Sequence, residues 1–600
     1  MNYATLTVEW LYELGYTHCF FVAGGNIMHL LNAARQRMTC VPFVHEVAAG
    51  IAAEYHNEAG PHHGRAFVLV TAGPGVTNVI TAMAGAWLES RDLLVLAGQV
   101  KRSDLALGEV RQRGIQEVDG VALARPVSVV AERLDEPWAR ARFFSAVEHG
   151  RSARKAPVFL EYPLDVQGIP VDPRALEATS QTTQPVHTSS EYVSRAKLAM
   201  PEVLRRIRAS ARPIVLIGGG VSRRAVDDVG NALGAADVLL MTTWNGADRV
   251  DALSPNYFGR PNTWGMRYAN VLLAQADLVV ALGTRLGLQQ TGFNWQAFAP
   301  GARVVQFDID EAELHKGHPV IDLAIAGDAD TALRQIVETD LGDHSDWLAY
   351  ARTVRERLPL VEPDNITAPG FIDPYRFVEQ LSAAARLNDV IIPCSSGGAF
   401  TTMMQAFAQQ RGQTIITNKG LAAMGYGLSG AIGAALAHPA RRTILVEGDG
   451  GFMQNLQELA TVDVNQLNLK IFVYVNEGYA SIRMTQRNYF GGAYVGCDVK
   501  SGLGFPRWRA LFAAYGIESL VLDETGLDTP GCGPLMALEG PAAFVVPIDP
   551  EQTYYPKISS RVTASGSMES SPLHLMTPEL PKATAMETMQ YLQDATCAPL

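Results

Sequence analysis

Two apolar runs that end in ligand-type residues constrain this chain more than any other feature. Residues 443–447 run into Gly448-Asp449-Gly450-Gly451, and residues 471–475 run into Asn476-Glu477-Gly478-Tyr479. Asp449 and Asn476 are 27 residues apart (476 − 449). Each segment lies just past the carboxyl end of an expected parallel strand, where open α/β sheets place their ligands. A hard divalent cation takes oxygen donors; an Asp carboxylate, an Asn amide oxygen and a backbone carbonyl supply them, and diphosphate oxygens complete the shell. Gly448, Gly450 and Gly451 let backbone N–H groups approach phosphate, and a helix expected to start near Phe452 points its positive end the same way. Gly448-Asp449-Gly450 alone fits an ordinary strand-to-helix turn equally well. Asn476, at this spacing and at its own strand end, favours the cation–diphosphate reading.

The same grammar recurs along all 600 residues, a length that suggests several domains. Runs at 66–71 and 92–96 alternate with helical patterns at 47–57 and 78–90, which favours a parallel sheet flanked by helices. A polar stretch over 167–191 reads as a linker. A second unit opens with the run 213–217 and Gly218-Gly219-Gly220, and continues through runs at 278–283 and 304–310. A third carries expected strands at 390–393, 414–417, 443–447, 471–475 and 543–547. The expected fold class is therefore α/β, three domains each with a parallel sheet flanked by helices. The expected bounds are 1–166, 192–345 and 373–560, with a linker helix at 346–372. Residues 561–600 form a tail, expected to wrap over the surface or to be partly disordered.

Composition narrows the partners. A formal net charge of −12 argues against nucleic acid, because phosphate backbones select basic surfaces. No uninterrupted apolar run reaches a membrane span. The opening MNYATLTVEWLYELGY lacks a basic stretch followed by an apolar one, so no secretory signal is expected. The six cysteines are scattered and form no metal-ligand spacing, which suits reduced, mostly buried thiols and a cytoplasmic location.

Near the amino terminus, His45-Glu46 ends an apolar run and precedes a helical pattern, HEVAAGIAAEYH. By itself Glu46 fits an acid stabilised at a helix N-terminus. Together with Gly73-Pro74-Gly75 and Asn78, however, this segment resembles the acetolactate-synthase-like branch of the thiamine-diphosphate enzymes, and Asp449 with Asn476 resembles that family's metal signature. The resemblance extends over roughly residues 1–560. One departure is that Val475 stands where the family often has a second asparagine.

The resemblance implies thiamine diphosphate and Mg²⁺ as cofactors, with Asp449, Asn476 and the Gly478 carbonyl on the metal. It implies that Glu46 hydrogen-bonds N1′ of the pyrimidine, so that the 4′-nitrogen can take the thiazolium C2 proton. Met424 matches the apolar residue on which the cofactor bends, Gly25 lies near C2, and Gln116 lies close to substrate. Gly73, Asn78, Ser396, Gly397, Gly398, Gly448, Gly450, Gly451 and Tyr479 are the implied cofactor contacts, although Gly398-Ala399 replaces the family's Gln-His. Because Glu46 and Asp449 belong to different domains, the resemblance implies sites between subunits of a homodimer or homotetramer.

In the middle unit, Gly219, Gly220, Gly283-Thr284-Arg285, Asp308, Asp310 and Asp328 resemble the positions where acetolactate synthases hold a structural, non-redox FAD. An empty middle domain is the competing expectation. The implied reaction is decarboxylation of a 2-keto acid, pyruvate, followed by ligation to a carbonyl acceptor. The family's acceptor-binding Arg aligns with Gln289 and its acceptor-pocket Trp with Thr485. Glutamine cannot make a bidentate bond to a carboxylate, so the expected acceptor is a ketone, aldehyde or keto sugar. Acetolactate synthase itself and a pyruvate-oxidase-like flavoenzyme are the alternatives.

Overall fold

The computed structural model describes residues 1–60, 64–177, 189–562 and 565–592. Three parallel sheets organise them. In spatial order the first joins Thr39–Pro42, Tyr16–Phe21, Arg65–Val70, Leu93–Gln99, Pro157–Pro163 and Val130–Arg133. The second joins Leu323–Ala326, Arg303–Asp308, Leu278–Leu282, Pro213–Ile217 and Leu239–Thr242. The third joins Thr414–Ile415, Val390–Ile392, Thr443–Gly448, Leu469–Val475, Ala542–Pro547 and Glu518–Val521. Every neighbouring pair in these sheets is parallel. The inner strands are buried on both faces, which is why they read as continuous apolar runs rather than alternating ones.

The first and third sheets share one apolar core. It contains Val68, Val70 and Val95 from one side and Leu445, Ile471 and Val473 from the other. The bridge is a close packing of helix Glu46–Glu58 on helix Tyr426–Ala437. A Cβ on Gly433 would lie 2.0 Å from the Ala52 carbonyl oxygen, and one on Gly430 would lie 2.5 Å from the Tyr55 ring. These glycines let the two backbones approach until carbonyl and ring fill the space a side chain would take.

Several elements differ from expectation. The helix placed at 78–90 spans Pro74–Leu88: Pro74 occupies its first turn and Gly73, at φ +66°, turns the chain into it. No helix starts at Phe452. Asp449–Phe452 is itself a single helical turn, followed by a 3₁₀ turn at Leu456–Glu458 and a short helix at Leu459–Val464. The interruption is at Asn455, whose amide donates to the Gly425 carbonyl (3.0 Å) and Ser429 hydroxyl (3.1 Å). Asp449 thus lies in the first turn, ahead of the expected helix start near Phe452. The stretch read as a linker contains helical turns, and helix Ser189–Ala209 begins within it; residues 178–188 lie outside the described part.

The described part of the tail is structured. Lys557–Ile558 pairs with Met576–Thr577 and Ser560–Val562 with Met568–Ser570, both antiparallel. Ile558, Leu573 and Met589 join the core on one face of the second sheet, and Asn270 and Gln275 donate to the carbonyls of Leu573 and Thr588. The ordering comes from these docking contacts, not from any periodicity of the tail. Residues 563–564 and 593–600, with Cys597, lie outside the description. The other five cysteines are free thiols, and no described helix is long and apolar enough to cross a membrane.

Gly433→Val would force a branched side chain into the Ala52 carbonyl. The expected loss, read from urea unfolding, is at the upper end of the ~1–3 kcal/mol typical of overpacking; parent stability would contradict the close-contact reading.

Candidate active site

Asp449 and Asn476 meet because their strands are neighbours in register, with Gly448 opposite Tyr474. The Asp449 carboxylate accepts N–H groups from Gly450 (2.7 Å) and Asn476 (3.0 Å). The Asn476 side-chain amide lies 3.3 Å from Asp449 Oδ1 and 2.7 Å from the Gly478 carbonyl oxygen, and with its nitrogen turned toward them it donates to both. With the amide in its other orientation, the Asp449 carboxylate, the Asn476 amide oxygen and the Gly478 carbonyl would together supply the oxygen donors that a hard cation takes. Among the described residues no cluster of three His, Cys, Asp or Glu could hold a metal, so the donor set here is one carboxylate with amide and carbonyl oxygens. Glu477, at φ +55°, turns the chain to present Gly478, and Arg483 fixes the turn by donating to the Asn476 carbonyl at 3.0 Å. Gly450 is required by the Tyr479 ring, which would lie 2.2 Å from a Cβ there.

Beside this end, helix Gly397–Ala406 opens with Ser396 as an N-cap whose side chain makes no capping bond. Its first N–H groups are therefore free to face an anion. Met424 is held outward, 43% exposed, by left-handed backbone at Ala422 (φ +55°) and Gly425 (φ +84°). A large apolar side chain fixed in the open beside an anion site suits a shelf for an apolar ring. Beneath it Glu447 is buried and accepts the Leu428 N–H at 3.0 Å; burial pushes its carboxyl up to about 8. The motif reading did not single out Glu447.

At the other end, Glu46 is buried in the first turn of its helix and accepts from Asn78 at 3.0 Å. The chain entering this turn is clamped from the third sheet's domain: Glu458 accepts the N–H groups of His45 (2.9 Å) and Val44 (3.3 Å). Gly25 opens a 3₁₀ turn with free space beside it. Gln116 is exposed in left-handed backbone (φ +63°), and its carbonyl would lie 2.3 Å from a Cβ on Gly73. Glu117 shapes that loop by accepting N–H groups from Ala106, Arg113 and Gly114. The structure thus gathers Glu46 with Asn78, Gln116 with Gly73, and Asp449 with Asn476, Gly478 and Tyr479; among the described residues no hydrogen bond joins the first group to the last.

Three family models match the chain. The N-terminal TPP binding domain of thiamine pyrophosphate enzymes matches residues 1–123, their central domain 200–336, and their C-terminal TPP binding domain 396–529. The chain belongs to the thiamine pyrophosphate enzymes, in their acetolactate-synthase-like branch. Acetolactate synthase isozyme 2 large subunit of Escherichia coli (strain K12) is 30% identical over 95% of this chain and 100% of its own length. Isozyme 1 of the same organism is 28% identical over 92% and 95%. The large subunit of Lactococcus lactis subsp. lactis (strain IL1403) is 28% identical over 86% and 88%. Thiamine diphosphate is therefore the cofactor of this acetolactate-synthase-type enzyme.

The second sheet's strand ends border a cavity of about 1610 Å³ that Gly219, Gly220, Gly283, Thr284, Arg285, Asp308, Asp310 and Asp328 all line. Their chemistry is unequal. Gly220 and Gly283 pack against each other, a Cβ on either lying under 3 Å from the other's backbone. Asp328 caps helix Ala329–Glu338 through Thr331, and Asp310 caps its own turn and pairs with Arg154 at 3.3 Å. Arg285 is exposed and its guanidinium makes no ion pair among the described residues, while burial pushes the Asp308 carboxyl up to about 6. In this thiamine pyrophosphate enzyme Arg285 is one of several basic side chains on the cavity wall, with Arg154, Lys155 and Lys419.

The Asp449 carboxyl is pushed up to about 7 by burial, against the N–H groups that hold it down. Its folded value exceeds the ordinary 3.8, so the cation-free fold loses stability as pH rises from about 4 through about 7. A bound cation removes that penalty. The rise in Tm on adding Mg²⁺ with cofactor should therefore be larger at about pH 8 than at about pH 5.5; an equal rise at both would contradict the ligand reading.

Proposed function

We propose that this enzyme decarboxylates a 2-keto acid, pyruvate, and transfers the two-carbon unit to a ketone, aldehyde or keto-sugar acceptor. The observation that carries this reading is the missing acceptor cation. Gln289 stands at the position that aligns with the family's carboxylate-binding Arg; its side chain is exposed and its carbonyl accepts from Thr263 at 3.0 Å. Thr485, which aligns with the acceptor-pocket Trp, lies exposed on helix Ala480–Phe490. Neither grips a second carboxylate, so an uncharged carbonyl suits the site better. The second reading is acetolactate synthesis, favoured by the names of the relatives.

Bound thiamine diphosphate supplies a nucleophilic carbon and an electron sink. In this reading Glu46, buried and backed by Asn78, holds a proton at the pyrimidine N1′. Met424 orients the ring, Asp449, Asn476 and Gly478 hold Mg²⁺, and Gly25 and Gln116 border the reacting carbon. The cavity of the second sheet holds FAD, with Arg285 on its diphosphate. The active unit is a cytoplasmic homodimer or homotetramer with sites between subunits.

Glu46→Gln should slow C2–H exchange of the bound cofactor by roughly 10²–10⁴; parent exchange would remove Glu46 from its role. A mass-spectrometric screen of pyruvate with ketones, aldehydes, keto acids and nucleotide-linked keto sugars decides the acceptor. Acetolactate formed from pyruvate alone at the rate of any other ligation would favour the second reading.

A further inference from the structure

One aromatic ring stands over the open N-terminus of helix Gly397–Ala406. A Cβ on Gly398 would lie 2.5 Å from Cζ and 2.6 Å from the hydroxyl oxygen of Tyr554. The phenol thus takes the place that any side chain at 398 would occupy. Tyr554 is only 8% exposed, yet among the described residues its hydroxyl has no hydrogen-bond partner. The nearby buried phenol of Tyr375, by contrast, reaches Gln405 at 2.7 Å. The ring is buried, but the hydroxyl at its tip reaches solvent and makes no bond to another described residue, so it is open to a ligand.

The surroundings say what that is. The charged groups that act on the Tyr554 phenol include Arg483, which holds the Asn476 carbonyl, and Asp449. Burial keeps the phenol protonated by raising its pKa, so it is a donor. A neutral donor beside uncapped helix N–H groups and a cation's ligands fits an anionic oxygen of diphosphate.

We propose that the Tyr554 hydroxyl donates to the diphosphate of bound thiamine diphosphate, supplying from the carboxyl-terminal segment the side-chain donor that Gly398 lacks. This rests on the reading of Asp449 and Asn476 as the diphosphate end. The ring is then a cofactor-binding group, and Gly398 and Tyr554 form one unit: the glycine exists to admit the phenol.

The test titrates thiamine diphosphate calorimetrically into Mg²⁺-replete parent protein and the variants Tyr554→Phe, Gly398→Ala and Asp449→Asn, with the Tm of each cofactor-free protein. Tyr554→Phe should weaken binding on the order of 10- to 10²-fold, as for one lost hydrogen bond to a charged group, with Tm held or raised. Gly398→Ala, which pushes the ring aside, should weaken it in the same direction and decides the matter if Tyr554→Phe does not fold. Parent affinity in Tyr554→Phe, alongside lost affinity in Asp449→Asn, overturns the proposal alone. A loss in Tyr554→Phe matched by a lowered cofactor-free Tm overturns it in favour of a packing role. Parent affinity in Asp449→Asn overturns the reading beneath it.

Discussion

The structure depends on a close contact between two helices that start at opposite ends of the site. Helix Glu46–Glu58 begins at the buried acid, and helix Tyr426–Ala437 follows directly on Met424-Gly425. Where they cross, the Ala52 carbonyl and the Tyr55 ring occupy the space above Gly433 and Gly430. Such an approach is available only to residues without a Cβ, and it fixes how the first and third sheets lie relative to one another. Displacing either helix would move the candidate site residue at its start, Glu46 or Met424.

Buried charge reinforces this seam. Glu54, fully buried on the first helix, accepts from Arg91 (2.8 Å), Asn418 (3.2 Å) and the Tyr426 hydroxyl (3.1 Å). Burial pushes its carboxyl up to about 7 against the pull of Arg91. Arg91 also donates to the Thr417 carbonyl, and Asn245, from the second domain, pairs with Glu89. Arrangements of this kind contribute little net stability, but breaking one partner leaves an uncompensated charge. Their value here is registry: they reward a single alignment of the three domains. Glu458 does the same for the backbone just before Glu46, from 413 residues away.

Much of this was legible in the sequence because parallel strands buried on both faces are written as contiguous apolar runs, and because strand ends carry Gly, Asp and Asn where ligands bind. Asp449 and Asn476 could therefore be read as one oxygen set, while Gly478 entered through the resemblance to the thiamine-diphosphate enzymes. What could not be read depends on tertiary partners. Asn455 interrupts the helix expected near Phe452 only because Gly425 and Ser429 lie within its reach. Asp328, expected as a nucleotide ligand, lines the cavity, and its carboxylate also caps a helix, a use that local sequence serves equally well. The pairing of Gly398 with Tyr554 spans two remote segments, and neither residue type signals it alone. The tail, without periodicity of its own, is ordered by the second sheet it covers.

The central claim is that two remote segments of this sequence together hold a single coenzyme, through an acid at its ring and an oxygen-ligated cation at its diphosphate. Isothermal titration of thiamine diphosphate into the full-length protein, with and without Mg²⁺, tests it most directly. Saturable heat that corresponds to one coenzyme per chain and vanishes in chelator is the predicted result. No heat in the presence of Mg²⁺, or identical heat after chelation, would contradict it.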